Sequence, residues 1–195
     1  MADDIVAACK KMVADANAQL EKYENEQKKN GVKKPASMRT FLSGNPTSGD
    51  RTPAQQAKEI VAGRSWTCDG AHEAGAARHV GPKLNGKNLT DMSSLKKAVS
   101  KEDYDKFVEV YADAMKSAGL HNFAHKSGFL PNSVDPLHVE LPYKNKPEDV
   151  EACKLEYAKL TRDGNAKRND SFEKANKAYL DDYEKKHPKK AGAGS

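Results

Sequence analysis

Ser65 to Gly86 reads SWTCDGAHEAGAARHVGPKLNG. This stretch holds the single Trp, one of three cysteines and two of six histidines. It is rich in Gly and Ala and lies between segments of helical period. Cys68 and His72 stand as C-x-x-x-H, His79 follows, and Gly81-Pro82-Lys83-Leu84-Asn85-Gly86 closes the run. No strand of alternating period is convincing here or elsewhere, so the expected fold class is all-α.

Outward from this stretch, helical patterns lie on both sides. Asp3 to Lys29 carries Ile5, Cys9, Met12, Ala16 and Tyr23, with Val6, Val13 and Leu20 beside them, on one apolar stripe. An isolated helix buries too little to persist, so it must dock, on its own domain or on a partner. The segment 31–51 is rich in Gly, Pro and Ser and reads as a linker or wrapping arm. Thr52-Pro53 opens a helix as N-cap and first helical residue, with Ala57, Ile60 and Val61 on its apolar face. Asp91 to Val99 suits a short helix. Ser100 and Asp103 form an S-x-x-D cap before a longer one, whose stripe includes Tyr104, Phe107, Tyr111 and Met115. Pro147 opens a further helix bearing Val150, Cys153, Tyr157 and Leu160. Asp170 or Ser171 caps a last one bearing Phe172, Ala175, Tyr179 and Tyr183. The apolar faces over Ala57–Val61 and Val150–Leu160 are expected to pack on each other.

Cys68 and His72 stand close to C-x-x-C-H, the attachment pattern of c-type haem, with Ala71 in the second cysteine position. Together with the later G-P-x-L-x-G run, this resembles the class I cytochrome c family. The segment Leu120-His121-Asn122-Phe123-Ala124 is similar to that family's M-x-F-A segment, with His121 in place of the ligating Met. The resemblance spans roughly residues 49–160. It implies a cytochrome c-like core, a haem c held by one thioether at Cys68, and iron ligation by His72 and His121. It also implies an orienting carbonyl at Pro82 and a haem-facing segment at Gly81, Leu84 and Phe123. The implied function is one-electron transfer rather than enzymatic turnover, toward an acidic redox partner or within a larger complex, in the mitochondrial intermembrane space. His125 stands four residues on from His121 as an alternative distal ligand. The implied division is an N-terminal helix and arm over 1–48, a core over 49–163, and a C-terminal helix and basic tail over 164–195.

Two alternatives stay open. The missing second Cys, the missing Met and the added terminal helices also suit a structural subunit of a respiratory-type assembly whose haem site has decayed. The formal net charge of +5 keeps acidic protein faces, anionic membrane surfaces and nucleic acid as partner classes, although no base-reading motif is visible. A zinc reading uses the same region. Five of the six histidines fall between His72 and His138, with Cys68 near them, but C-x-x-C and H-E-x-x-H are both absent. Three widely spaced cysteines, Cys9, Cys68 and Cys153, imply no disulfide framework. No apolar run is long enough to span a membrane, and the N-terminus lacks a secretory pattern, which makes cytosol the default location outside the resemblance.

Overall fold

A computed structural model describes residues 2–43, 51–65, 67–72, 74–122, 136–162 and 169–188. The elements run α1 (Ala2–Lys29), β1 (Met38–Leu42), α2 (Pro53–Val61), β2 (Ala77–Leu84) and β3 (Lys87–Asn88). Then come α3 (Met92–Ala98), α4 (Lys101–Ser117), β4 (His138–Glu140), α5 (Pro147–Arg162), α6 (Asp170–Ala175) and α7 (Lys177–Lys186). The all-α expectation is therefore corrected: a four-stranded antiparallel sheet stands among the helices. The three-part division is replaced as well. The chain forms two units, one from 1–50 and 75–142, the other from 51–74 and 143–195.

The first unit is built on β2. One edge of β2 pairs with β1, Phe41 opposite Gly81 and Leu42 opposite Val80. The other edge pairs with β4, His79 opposite His138, and then with β3, Leu84 opposite Lys87. Pro82 sits inside this central strand, where proline is normally excluded because it cannot donate to the ladder. Its nitrogen faces the interval between β4 and β3, where the Pro82 carbonyl still accepts the Leu89 N–H at 2.9 Å and only the return bond is forgone. In the same interval the Tyr111 hydroxyl donates to the Val80 carbonyl at 3.0 Å. Asn85 and Gly86 then turn the chain with φ of +48° and +83°. Positive φ at both central residues is what a tight two-residue hairpin needs, and Asn-Gly is its strongest signal. The G-P-x-L-x-G run is thus a strand end and its hairpin.

Period-2 alternation sorts the strands into two faces. Met38, Thr40, Val80 and Val139 are 0–3% exposed. Of these, Met38, Val80 and Val139 join a core with Ile5, Cys9, Met12, Ala16 and Leu20 of α1 and Phe107, Tyr111 and Met115 of α4. The amphipathic first helix therefore docks within its own unit. Met115 belongs to this core, as its stripe requires. Cys9 is fully buried, and burial pushes its thiol up to about 12. Phe41, His79, Gly81, His138 and Glu140 share the opposite face.

In the second unit α2 packs on α5 as the facing stripes predict, with Ala57, Ile60, Cys153 and Tyr157 all fully buried. Thr52 caps α2 by accepting the Gln55 N–H, and the Gln55 side chain accepts the Thr52 N–H in return. Phe172, Leu180 and Tyr183 complete this core from the C-terminal segment. That segment is two helices rather than one, broken at Asn176, whose side chain donates to the Phe172 carbonyl. Cys68 and Cys153 are joined by a disulfide across 85 residues of sequence. This corrects the expectation that the three cysteines imply no disulfide framework.

Candidate metal centre

The site on the second face of the sheet is assembled by pairing register. His79 of β2 lies directly opposite His138 of β4, so their side chains leave the sheet on the same side. The rings approach edge to face, centroids 5.7 Å apart and planes at 76°. A nitrogen of one ring lies within 4.8 Å of a nitrogen of the other. Metal–imidazole bonds are about 2.0–2.1 Å, so two nitrogens on one ion stand at most about 4.2 Å apart, a separation on the scale of this pair's.

Glu140 follows two residues after His138 and therefore points to the same face. It is 2% exposed, and its Oε2 lies 2.8 Å from His138 Nε2. A carboxylate can only accept, so Nε2 carries the hydrogen and a neutral His138 ring presents its lone pair at Nδ1. Carboxylate–imidazole pairs of this kind fix the tautomer of metal-binding histidines and raise their basicity. The second Glu140 oxygen lies 3.1 Å from His121 Nε2, whose side chain is 44% exposed. The backbones of His121 and Glu140 exchange hydrogen bonds at 3.0 and 2.9 Å, which seals the outer edge of β4. Asn122, 2% exposed, donates from Nδ2 to the His138 carbonyl at 2.8 Å and fixes the strand.

The residues assigned from the haem resemblance take other parts. Cys68 is in the disulfide, so its sulfur is not available for a thioether. His72 belongs to the second unit, 7% exposed, with its carbonyl accepting the Arg51 N–H at 3.0 Å. The Pro82 carbonyl accepts the Leu89 N–H at 2.9 Å, inside the hairpin. Gly81 does admit a ring at close range, but it is the ring of Phe41: an added Cβ would meet two of its carbons at 2.8 and 2.9 Å. Leu84 pairs with Met38 and packs on the first core. His121 meets Glu140. Phe123 and His125 lie outside the described residues. Glu140 was not singled out from sequence. Its one signal was the triplet His138-Val139-Glu140, an H-x-E alternation too short to announce a strand.

His79 also lines a cavity of about 440 Å³ with Phe41, Ser43, Leu89 and Leu137. Among the described residues no helix is long and apolar enough to cross a membrane.

Neither protein-family models nor curated proteins match this chain. Among solved structures, the crystal structure of the L-Ala D-Glu endopeptidase ChiX of Serratia marcescens is similar in part. It is 18% identical, covers 55% of this chain and 69% of its own, and superposes with a TM-score of 0.36. At that level the likeness carries no argument about fold or activity.

Proposed function

We propose that this protein binds a divalent transition-metal ion, zinc by ligand type, through His79 and His138, and uses it in hydrolysis. The observation behind the reading is the His79–His138 pair with the buried Glu140 carboxylate on Nε2 of His138. Imidazole suits zinc among the available divalent ions, although copper, iron and nickel accept it too. An ion held there would act as a Lewis acid, polarising a carbonyl or acidifying a water. His79 forms part of a cavity wall, and an accessible position beside the ligands distinguishes catalytic from closed structural sites. The protein's own part is to hold His138 in one tautomer through Glu140, and to hold β4 through Asn122 and the His121 bridge.

The electron-transfer reading rests on the sequence resemblance. With Cys68 in a disulfide it would require haem held without that thioether.

One preparation tests both. The full chain is stripped with chelator, reloaded with zinc or cobalt, and assayed for bound metal and visible absorption. About one equivalent of zinc is expected, together with cobalt bands that vanish in His79→Ala and in His138→Ala. His72 and His121 are replaced in turn to find the remaining ligands. Wild-type protein that retains no more metal than His79→Ala/His138→Ala would overturn the reading. A haem spectrum in protein from its native source would restore electron transfer.

A further inference from the structure

The cavity beside His79 has a chemistry of its own. Phe41, Leu89 and Leu137 supply apolar wall, and Ser43, Asn88 and Thr90 supply neutral hydrogen-bonding groups. Among the described residues no lining side chain carries a fixed charge, in a chain with 33 Lys and Arg and 28 Asp and Glu. Its volume of about 440 Å³ falls among small-molecule sites. Without an ion on His79, a charged occupant would lose its hydration and gain no partner from these walls, which is costly. An amide with an apolar side chain loses little, because Ser43, Asn88 and Thr90 can replace its water and the three apolar residues can cover the rest.

We propose that this cavity binds an uncharged amide bearing one apolar side chain, presented beside His79. Its use as the substrate site rests on the metal-centre reading above; its ligand preference does not. Gly81 contributes indirectly. Because it lacks a Cβ, the Phe41 ring can lie over it and form one wall.

The test titrates the full chain with two probes, N-acetyl-leucinamide and the similarly sized but anionic N-acetyl-aspartic acid α-amide, with zinc and after chelation. Ligand-observed NMR or calorimetry reads binding. After chelation, the neutral probe is expected to bind at least tenfold tighter than the anion. Leu89→Asp is expected to remove most of that advantage. Thr90→Glu, at an exposed lining position that should leave folding intact, is expected to weaken the neutral probe several-fold. Equal binding of the two probes, no binding of either, or neutral binding unchanged in both variants would overturn the proposal. Normal zinc uptake without the neutral preference would sink the cavity assignment and leave the metal centre standing. A neutral preference in protein that takes up no zinc would do the reverse.

Discussion

The side-chain amide of Asn17 pairs with the backbone of Thr40 as a neighbouring strand would. Thr40 N–H donates to Asn17 Oδ1 at 2.7 Å, and Asn17 Nδ2 donates to the Thr40 carbonyl at 3.1 Å. Register turns these two backbone groups away from β2, toward the outer edge of β1. Sheet edges with unpaired backbone are aggregation-prone and must be covered. Here one residue of α1 both docks the helix and closes the edge.

Replacing Asn17 by Ala should therefore leave the Thr40 N–H and C=O without partners at a residue only 3% exposed. The expected loss is about 1–3 kcal/mol for the first unit. Asn17→Leu should be no better, since it adds apolar volume but no hydrogen bonds. Amide exchange at Thr40 should accelerate in both variants. Unchanged protection at Thr40 would show that the edge does not depend on Asn17.

Most helices were legible in the sequence because they carry a start signal and a stripe; α7, which begins at Asn176 without a side-chain cap, was not separable from α6. Thr52-Pro53 and Ser100 cap where expected, and Ile5 through Leu20 all reach the core. The sheet was not legible, for physical reasons. β4 is three residues long, β1 is five, and β2 contains Gly-Pro, which ordinarily argues against a central strand. What licenses Pro82 is a gap between two partner strands, and no local pattern encodes that. Asn85-Gly86 was legible as a hairpin, but the G-P-x-L-x-G spacing drew the reading to a haem motif instead. Of the site, His79 and His138 were visible as histidines, while their pairing depends on register between residues far apart in sequence.

The Cys68–Cys153 disulfide should show up as a stability difference in the second unit. It closes a loop across 85 residues of sequence and joins the segment after α2 to α5 within one core. Constraint of the unfolded chain over such a loop contributes about 2–5 kcal/mol. Reduction, or Cys68→Ser with Cys153→Ser, should lower the unfolding midpoint of that unit. A non-reducing peptide map should link the two cysteines and leave Cys9 as a thiol. Equal midpoints with and without reductant would remove the bridge from the account.

Glu59 sets an acid-side dependence in the same unit. Arg64 meets both its oxygens at 2.8 Å, and Arg51 approaches to 3.8 Å. The Arg64 hydrogen bonds, outweighing burial, hold the carboxyl below its usual 4.5. A depressed folded value means the stabilisation is fully present above about pH 4.5 and is lost as pH falls through the folded value. Arg64 is largely exposed, so solvent screens the pair and the contribution is small. Urea midpoints of wild type and Glu59→Gln should differ at neutral pH and converge in acid. A gap that persists or widens at low pH would mean that packing, not charge, explains the difference.

Glu140 separates a metal centre from a merely structural pair of histidines. Its carboxylate accepts from His138 Nε2 at 2.8 Å and, through its other oxygen, from His121 Nε2 at 3.1 Å. Glu140→Gln keeps the size and one acceptor oxygen but removes the charge, and its amide can donate toward one of the two rings. His138 Nε2 would then face a neutral amide in place of the carboxylate that fixes its hydrogen. Loss of such an outer carboxylate commonly weakens metal binding by about 10–100-fold. The zinc dissociation constant of Glu140→Gln should rise by that factor, and cobalt absorption should shift or broaden. His121→Ala should have a smaller effect, because it leaves the Glu140–His138 bond in place. Circular dichroism should be unchanged in both variants, which separates lost affinity from lost folding. If Glu140→Gln binds zinc as tightly as wild type while His138→Ala does not, the carboxylate is not part of the metal site. His138 would then bind without tautomer control by Glu140.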